Sequence, residues 1–294
     1  MEPLVSLVIC TCNRCEDLER LLGSLQELTY PRVEIIVVDN NSTDNTRAVS
    51  ERFNVRYVRE DNQGISFARN RGIRESGGEY IAFLDDDVIV CNPDWVEKML
   101  HVFSSDSKAG VVGGKIIARC IGTGSKLLVD ALLARNGQDL GEENRILSSG
   151  FWVLGCSIMF ARAAIKDISF NTELGRRGKL LLGREELEFI DKIARKGYKT
   201  GYCAGAVVYH NLKASRFTFR YIARHSFYEG ISVYLHNGSK FSEKAVLAIL
   251  ANAASTVFYL SAADYKAAVI RFTNLCRAAG VFWGPFFKTL NAGF

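Results

Sequence analysis

Tyr80-Ile81-Ala82-Phe83-Leu84-Asp85-Asp86-Asp87 runs from five uncharged, mostly apolar residues straight into three carboxylates. The apolar run reads as a buried strand, which puts the aspartates at its C-terminal tip. Like charges repel there unless something positive sits among them. A divalent cation carrying phosphates is one such counter-charge, because hard oxygen ligands suit Mg2+ or Mn2+. A solvated turn after a strand is the other reading of the triplet taken alone.

Working outward, strands alternate with helices. Residues 4–9 read as a strand, and 16–28 as a helix with Leu18, Leu21, Leu22, Leu25 and Leu28 on one face. A second strand covers 33–38, a helix capped by Asp44 covers 45–53, and a third strand covers 55–58. A turn at Gly64 leads to a helix over 66–75 and then to the acidic strand. This alternation predicts an α/β fold, a largely parallel sheet with helices on both faces. Ligands of such sheets collect beyond the C-terminal strand ends. The polar residues gather there: Thr11-Cys12-Asn13-Arg14 after strand one, Asp39 after strand two, Asn62-Gln63-Gly64 after strand three, and the aspartates after strand four. Further on, 93–103 reads as a helix, 110–118 as a strand, 184–195 as a helix and 198–209 as extended chain. Residues 119–150, rich in glycine and charge, read as a long mobile segment, the usual form of a lid or binding loop.

Composition narrows the class. With 48% hydrophobic and 23% charged residues in 294, the chain holds enough apolar side chains for a core and is not expected to be disordered. Met1-Glu2-Pro3 leads into the first strand without a basic segment, so no signal peptide is expected. The eight cysteines show no disulfide spacing, which points to reduced thiols and a cytoplasmic protein. Cys10-x-Cys12-x-x-Cys15 lacks the second Cys/His cluster that a zinc site needs. Residues 213–294 carry 10 Lys and Arg against 3 Asp and Glu, +7, while residues 1–212 carry −2. Aromatic residues interleave with the basic ones, which suggests an anionic membrane surface as partner. Nucleic acid is not expected, since dense basic runs and known modules are both absent. Residues 245–263 are uncharged and long enough to span a bilayer, but Asn252, Ser255, Thr256 and Ser261 favour a packed or interfacial helix.

Three separated pieces complete the pattern: the aspartates, Gly183-Arg184-Glu185-Glu186-Leu187-Glu188 at a helix start, and His210 ending an extended run. Asp87 and His210 are candidate ligands of one metal, and Glu186 is a candidate proton acceptor. At this point the motifs resemble those of inverting glycosyltransferases of family 2. Ser6-Leu7-Val8-Ile9-Cys10-Thr11-Cys12-Asn13-Arg14 is similar to the family's first strand and turn, and Val37-Val38-Asp39-Asn40-Asn41-Ser42-Thr43-Asp44 to its second. Asn62-Gln63-Gly64-Ile65-Ser66-Phe67-Ala68-Arg69-Asn70-Arg71-Gly72 resembles its Asn-x-Gly…Ala-Arg-Asn-x-Gly segment. Phe83-Leu84-Asp85-Asp86-Asp87 resembles its Asp-x-Asp element, and Glu185-Glu186 stands in register with its Glu-Asp motif. The likeness covers residues 4 to about 212.

The resemblance implies a GT-A fold over residues 1–212, with a nucleotide-binding half (1–115) and an acceptor half (116–212), followed by a helical tail over 213–294. It implies transfer of a sugar from a nucleotide-diphosphate donor, UDP-sugar favoured, to a hydroxyl of a glycan or lipid-linked acceptor, with Mg2+ or Mn2+. By position, Asp39 meets the base, Thr11, Cys12, Asn13 and Arg14 line the base and ribose, and Gly64 belongs to the same donor site. Arg69 meets the diphosphate or base edge, Asp85 and Asp86 face the donor, and Asp87 with His210 holds the metal. Glu186 is the implied base. The family usually has Asp at that position, so Glu185 and Glu188 stay open as alternatives. Cys10 and Cys12 replace residues that often include an aromatic, which weakens the expectation of an aromatic stacked on the base. Rival readings are a nucleotidyltransferase, which lacks its basic glycine-rich loop here, and a degenerate scaffold, against which Asp87, Glu186 and His210 argue. The tail is expected to dock on the inner face of the plasma membrane, or to form a homodimer.

Overall fold

β1 (Val5–Thr11) is buried along its whole length, as a central strand covered on both faces must be. Alternate residues of β1 serve two different cores. Val5, Leu7 and Ile9 pack with Leu18, Leu21, Trp95 and Met99 on one side of the sheet. Val8 and Cys10 pack with Ile36, Ala68, Phe83 and Phe189 on the other. The computed structural model describes residues 2–148, 151–238 and 242–291.

In chain order the elements after β1 are α1 (Cys15–Leu25), β2 (Val33–Asp39), α2 (Thr46–Arg52), β3 (Arg56–Arg59), α3 (Ile65–Glu75), β4 (Tyr80–Asp85), β5 (Val88–Val90), α4 (Trp95–Ser105) and β6 (Ala109–Ile121). They continue with α5 (Lys126–Leu132), β7 (Arg145–Ile146), β8 (Ser157–Ala161), α6 (Arg162–Ile165), α7 (Glu185–Arg195), β9 (Lys199–Lys213), α8 (Phe219–Asn237), α9 (Ser242–Ser261) and α10 (Tyr265–Asn291). The sheet runs β3-β2-β1-β4-β8-β6-β9-β5, with β7 beside β9. β3, β2, β1 and β4 are parallel, while β8 lies antiparallel to β4 and β6. Strand order reverses between β1 and β4, so the crevice beyond their C-terminal ends is the topological switch point where such sheets bind ligands. Thr11 pairs with Asp39 across β1 and β2, and Cys10 with Asp85 across β1 and β4, so the strands extend into the polar residues themselves. Gly72 lets α3 lie close on β1: a Cβ there would stand 2.4 Å from Val8 Cγ1.

The chain packs into two compact units. The first comprises Met1–Arg119, Gly137–Thr172 and Glu186–Asn211, and the second Cys120–Asn136, Glu173–Glu185 and Leu212–Phe294. The long final segment of the second unit starts at Leu212, and two earlier segments join it. In the first unit, Phe83, Phe160, Phe170 and Phe189 form an aromatic cluster under α7, with Phe170 stacked on Phe189 at 4.0 Å between centroids. In the second unit, α8 and α10 touch backbone to backbone. A Cβ on Gly280 would meet the Phe227 carbonyl oxygen at 1.8 Å, and one on Gly230 the Arg277 oxygen at 1.9 Å.

Two expectations change. Residues 119–150 are not one irregular segment: they hold the end of β6, the helix α5, a 3-10 turn over Leu133–Asn136 and β7. Leu128, Ala131 and Leu132, spaced as one helical face, are buried, and Arg135 donates to Thr273 Oγ1 at 2.8 Å. Glycine and charge on the flanks hid that face; residues 149 and 150 of the stretch lie outside the described residues. Asp44 is not the N-cap of α2. Asn45 holds that position, although Asp44 Oδ1 still accepts the Thr46 N–H at 3.1 Å. Among the described residues no helix is long and apolar enough to cross a membrane.

Candidate active site

The turn after β1 is latched to the turn after β2. Asn13, at φ +54°, donates its N–H to Ser42 Oγ at 2.9 Å and accepts the Thr43 N–H on Oδ1 at 2.8 Å. Asp44 Oδ2 accepts the Cys15 N–H at 2.9 Å. Asn40 extends the stitching to the third strand end: its Nδ2 donates to the Glu60 and Asn62 oxygens, and its Oδ1 accepts the Gly64 N–H at 2.6 Å. Gly64, at φ +142°, thereby sets the entry to α3, a conformation that favours glycine. Each contact ties backbone groups left over at a strand end, so the crevice wall is fixed before any ligand arrives.

Asp39 is buried at the tip of β2. Its Oδ1 accepts the Ser42 N–H at 2.8 Å and its Oδ2 accepts the Tyr57 hydroxyl at 2.6 Å. Burial and the adjacent Asp39 charge push the Tyr57 phenol up to about 12, so it stays a donor. Asp39 as an acceptor-only group suits a base edge that donates an N–H. Tyr57 was not singled out from sequence; its place in β3 across from β2 was the available signal.

The acidic tip is organised around Arg14. Its guanidinium meets Asp86 Oδ1 at 2.8 Å, Asp87 Oδ2 at 3.0 Å and Asp17 Oδ2 at 3.1 Å. Thr11 Oγ1 donates to Asp86 Oδ2 at 2.8 Å. Burial pushes the Asp86 carboxyl up to about 7; Arg14 works against that, and the Asp87 charge adds to it. Arg14 therefore pairs with the aspartates rather than only lining a ribose pocket, and Asp17, three residues on, is the partner that sequence reasoning missed. β5 pairs with β9 so that Val88 lies opposite His210, which brings the imidazole to Asp87. His210 Nε2 stands 3.4 Å from Asp87 Oδ1.

That pair fits a divalent cation. Among the described residues no three His, Cys, Asp or Glu side chains converge into a cage. One carboxylate and one imidazole leave the other positions to phosphate oxygens and water, the usual arrangement when Mg2+ or Mn2+ is shared with a diphosphate. Burial pushes the Cys10 thiol up to about 12.

Across the crevice, α7 brings Glu186 to Gly155. A Cβ on Gly155 would stand 3.2 Å from Glu186 Cγ and 3.1 Å from an Arg69 Nη, so the missing side chain makes room between them. Arg69 is buried, lies over the Phe170 ring at 5.5 Å, and reaches Asp85 Oδ1 at 3.4 Å. The Asp85 N–H bonds the Cys156 oxygen, which joins the β4 tip to the start of β8. Glu188 is tied to Lys192 at 3.0 Å and Glu185 is buried. The structure thus gathers Thr11, Arg14, Asp86, Asp87 and His210, and separately Asp85, Arg69 and Glu186. Cys12 makes no close polar contact with either group beyond its neighbour Asn13.

A mixed sheet with its polar crevice at the β1/β4 switch point, acidic at the tip and flanked by helices, is the GT-A type of fold. Residues 6–168 match the model of "Glycosyl transferase family 2". The chain belongs to that family. It is 25% identical over 240 residues to the glucosyl-dolichyl phosphate glucuronosyltransferase of Haloferax volcanii, covering 78% of this chain and 75% of that protein. Its fold is similar to that of the mannosyltransferase PcManGT from Pyrobaculum calidifontis in complex with GDP-Man and Mn2+. That match has a TM-score of 0.67 at 18% identity, over 98% of this chain and 88% of that one. It is also similar to S. aureus TarS 1–349 in complex with UDP-GlcNAc, with a TM-score of 0.55 at 18% identity over 85% and 72% of the two chains.

Proposed function

We propose that this protein is a metal-dependent inverting glycosyltransferase that takes a sugar from a nucleotide-diphosphate donor, UDP-sugar favoured, to a hydroxyl of a glycan or lipid-linked acceptor. The observation that carries the reading is the meeting of Asp87 and His210 at one side of the crevice with Glu186 placed across Gly155. In this reading Asp39 accepts an N–H of the base, Thr11, Cys12, Asn13, Arg14 and Gly64 line the nucleoside, and Asp85, Asp86 and Arg69 orient the diphosphate and sugar. Asp87 and His210 hold Mg2+ or Mn2+, which when bound neutralises charge on the departing diphosphate. Glu186 accepts the acceptor's hydroxyl proton. The acceptor oxygen bonds to the anomeric carbon from the face opposite the leaving group, and the bond to phosphate oxygen breaks with its electron pair leaving on the nucleoside diphosphate. An α-linked donor gives a β-linked product. Incubation with a panel of UDP- and GDP-sugars and polyprenyl-phosphate sugars is expected to release one nucleoside diphosphate only with metal present; no release from any donor would remove the reading.

A lipid-linked acceptor fits the second unit. Its spans carry 16 Lys and Arg against 6 Asp and Glu, +10, while the first unit carries 21 against 26, −5. α9 leaves Leu247, Leu250, Val257 and Phe258 exposed, and α10 leaves Phe282, Trp283 and Phe286 exposed. A basic body with an apolar, aromatic-flanked helix face suits the inner surface of a plasma membrane from the cytoplasmic side. The dolichyl phosphate in the name of the Haloferax relative points the same way. The protein is expected to sediment with anionic liposomes, less so at high salt and with Leu247→Glu/Phe258→Glu. Unchanged sedimentation of that variant, or a dimer in light scattering that the substitutions abolish, would favour a homodimer instead.

A further inference from the structure

Arg184, two residues before Glu186, has φ +68°. A non-glycine residue takes that conformation only where its surroundings over-determine it, and such residues cluster at functional positions. The surroundings lie on one face of α8, within the second unit. Arg184 Nε donates to Glu229 Oε1 at 2.9 Å, and its Nη1 lies 3.5 Å from His236 Nδ1. The preceding Gly183 N–H donates to Ser232 Oγ at 3.0 Å, and that hydroxyl donates to the Tyr228 oxygen at 2.8 Å. Ser232 is fully buried. A Cβ on Gly183 would stand in ordinary contact with Glu229 Oε2, at 3.5 Å. Glu229, Ser232 and His236 are spaced three and four residues apart, so one row of α8 grips two consecutive residues of the loop.

We propose that this grip positions the catalytic base. Arg184, Glu229 and Ser232 are positioning residues: they fix the peptide from which α7 starts, and the second residue of α7 is Glu186. The proposal rests on the base role given to Glu186 above. A partly buried ion pair and a left-handed arginine are a costly way to hold a loop if only packing is required, since apolar contacts would serve at least as well. What they add is direction, because the guanidinium fork and the serine hydroxyl fix the loop at two points. A base displaced by about 1 Å loses on the order of 100-fold in rate while the donor still binds.

Two variants test this. Glu229→Gln removes the charge that holds Arg184, and Arg184→Gly removes the fork while relieving the backbone, so the second should fold at least as well as wild type. Both are expected to lower kcat about 10- to 100-fold, with donor KM and nucleotide affinity within about 2-fold of wild type, and Glu229→Asp is expected to recover part of the loss. Amide hydrogen exchange over residues 183–188 is expected to quicken in both. A purely structural role would lower thermal stability and leave kcat of the folded fraction unchanged, which would overturn the proposal. If wild type transfers no sugar, the base role fails by itself. The exchange measurement still decides the grip, and unchanged exchange in Glu229→Gln would overturn it.

Discussion

Replacing Glu186 with Gln is expected to lower kcat by about 10²–10⁴, with donor affinity unchanged. The amide keeps the size of the carboxylate and its place opposite Gly155, so it leaves the crevice packed as before. It cannot take the acceptor proton. The other two glutamates on α7 set the comparison. Glu188 is engaged by Lys192 at 3.0 Å, and Glu185 is buried in the second unit. Glu188→Gln is therefore expected to cost less than about 10-fold, since Lys192 one turn along α7 already holds that carboxylate. A Glu186→Gln enzyme within 10-fold of wild type, beside a crippled Glu185→Gln or Glu188→Gln enzyme, would move the base to that position.

Asp87→Ala is expected to remove metal-dependent activity, by about 10³ or more, since it takes away the carboxylate proposed to hold the cation and the charge beside His210. The fold should survive. Arg14 loses one of three carboxylates but keeps Asp86 at 2.8 Å and Asp17 at 3.1 Å, so no buried cation is left alone. Loss of Mn2+ binding, followed by calorimetry on folded protein, separates this from general damage. Retention of wild-type Mn2+ affinity would place the metal elsewhere. The same reasoning explains why Arg14 sits where it does. Around this strand tip Arg14 supplies one positive charge, paired with Asp86 and Asp87, beside the cation proposed for Asp87 and His210.

Much of this was legible because β strands write their geometry in single residues. The run 80–87 announced a buried strand and its acidic tip, and the alternation of strand and helix placed the polar ends together. His210 was singled out as ending an extended run; β9 in fact continues to Lys213, and the β5–β9 register is what carries His210 to Asp87. Contacts between elements distant in sequence were not legible. The place of Tyr57 in β3 beside β2 hinted at a meeting with Asp39, but nothing marks Glu229 as a partner of Arg184 45 residues away. α5 was missed for a different reason: its apolar face spans only two turns and is flanked by glycine, so turn chemistry outweighed periodicity. Likewise the pairing of Arg14 with Asp17, Asp86 and Asp87 was not legible, because a basic residue in a strand-end turn gives no hint that its own chain supplies an anion.

The most direct test is calorimetric titration of UDP and of GDP into the wild-type protein, each with Mn2+ and with chelator. The account predicts that one nucleotide, UDP, binds with Mn2+ and loses that affinity when the metal is removed or when Asp87 is alanine. Equal binding with and without metal would contradict the metal-bridged donor site, and binding of neither nucleotide would contradict the donor reading itself.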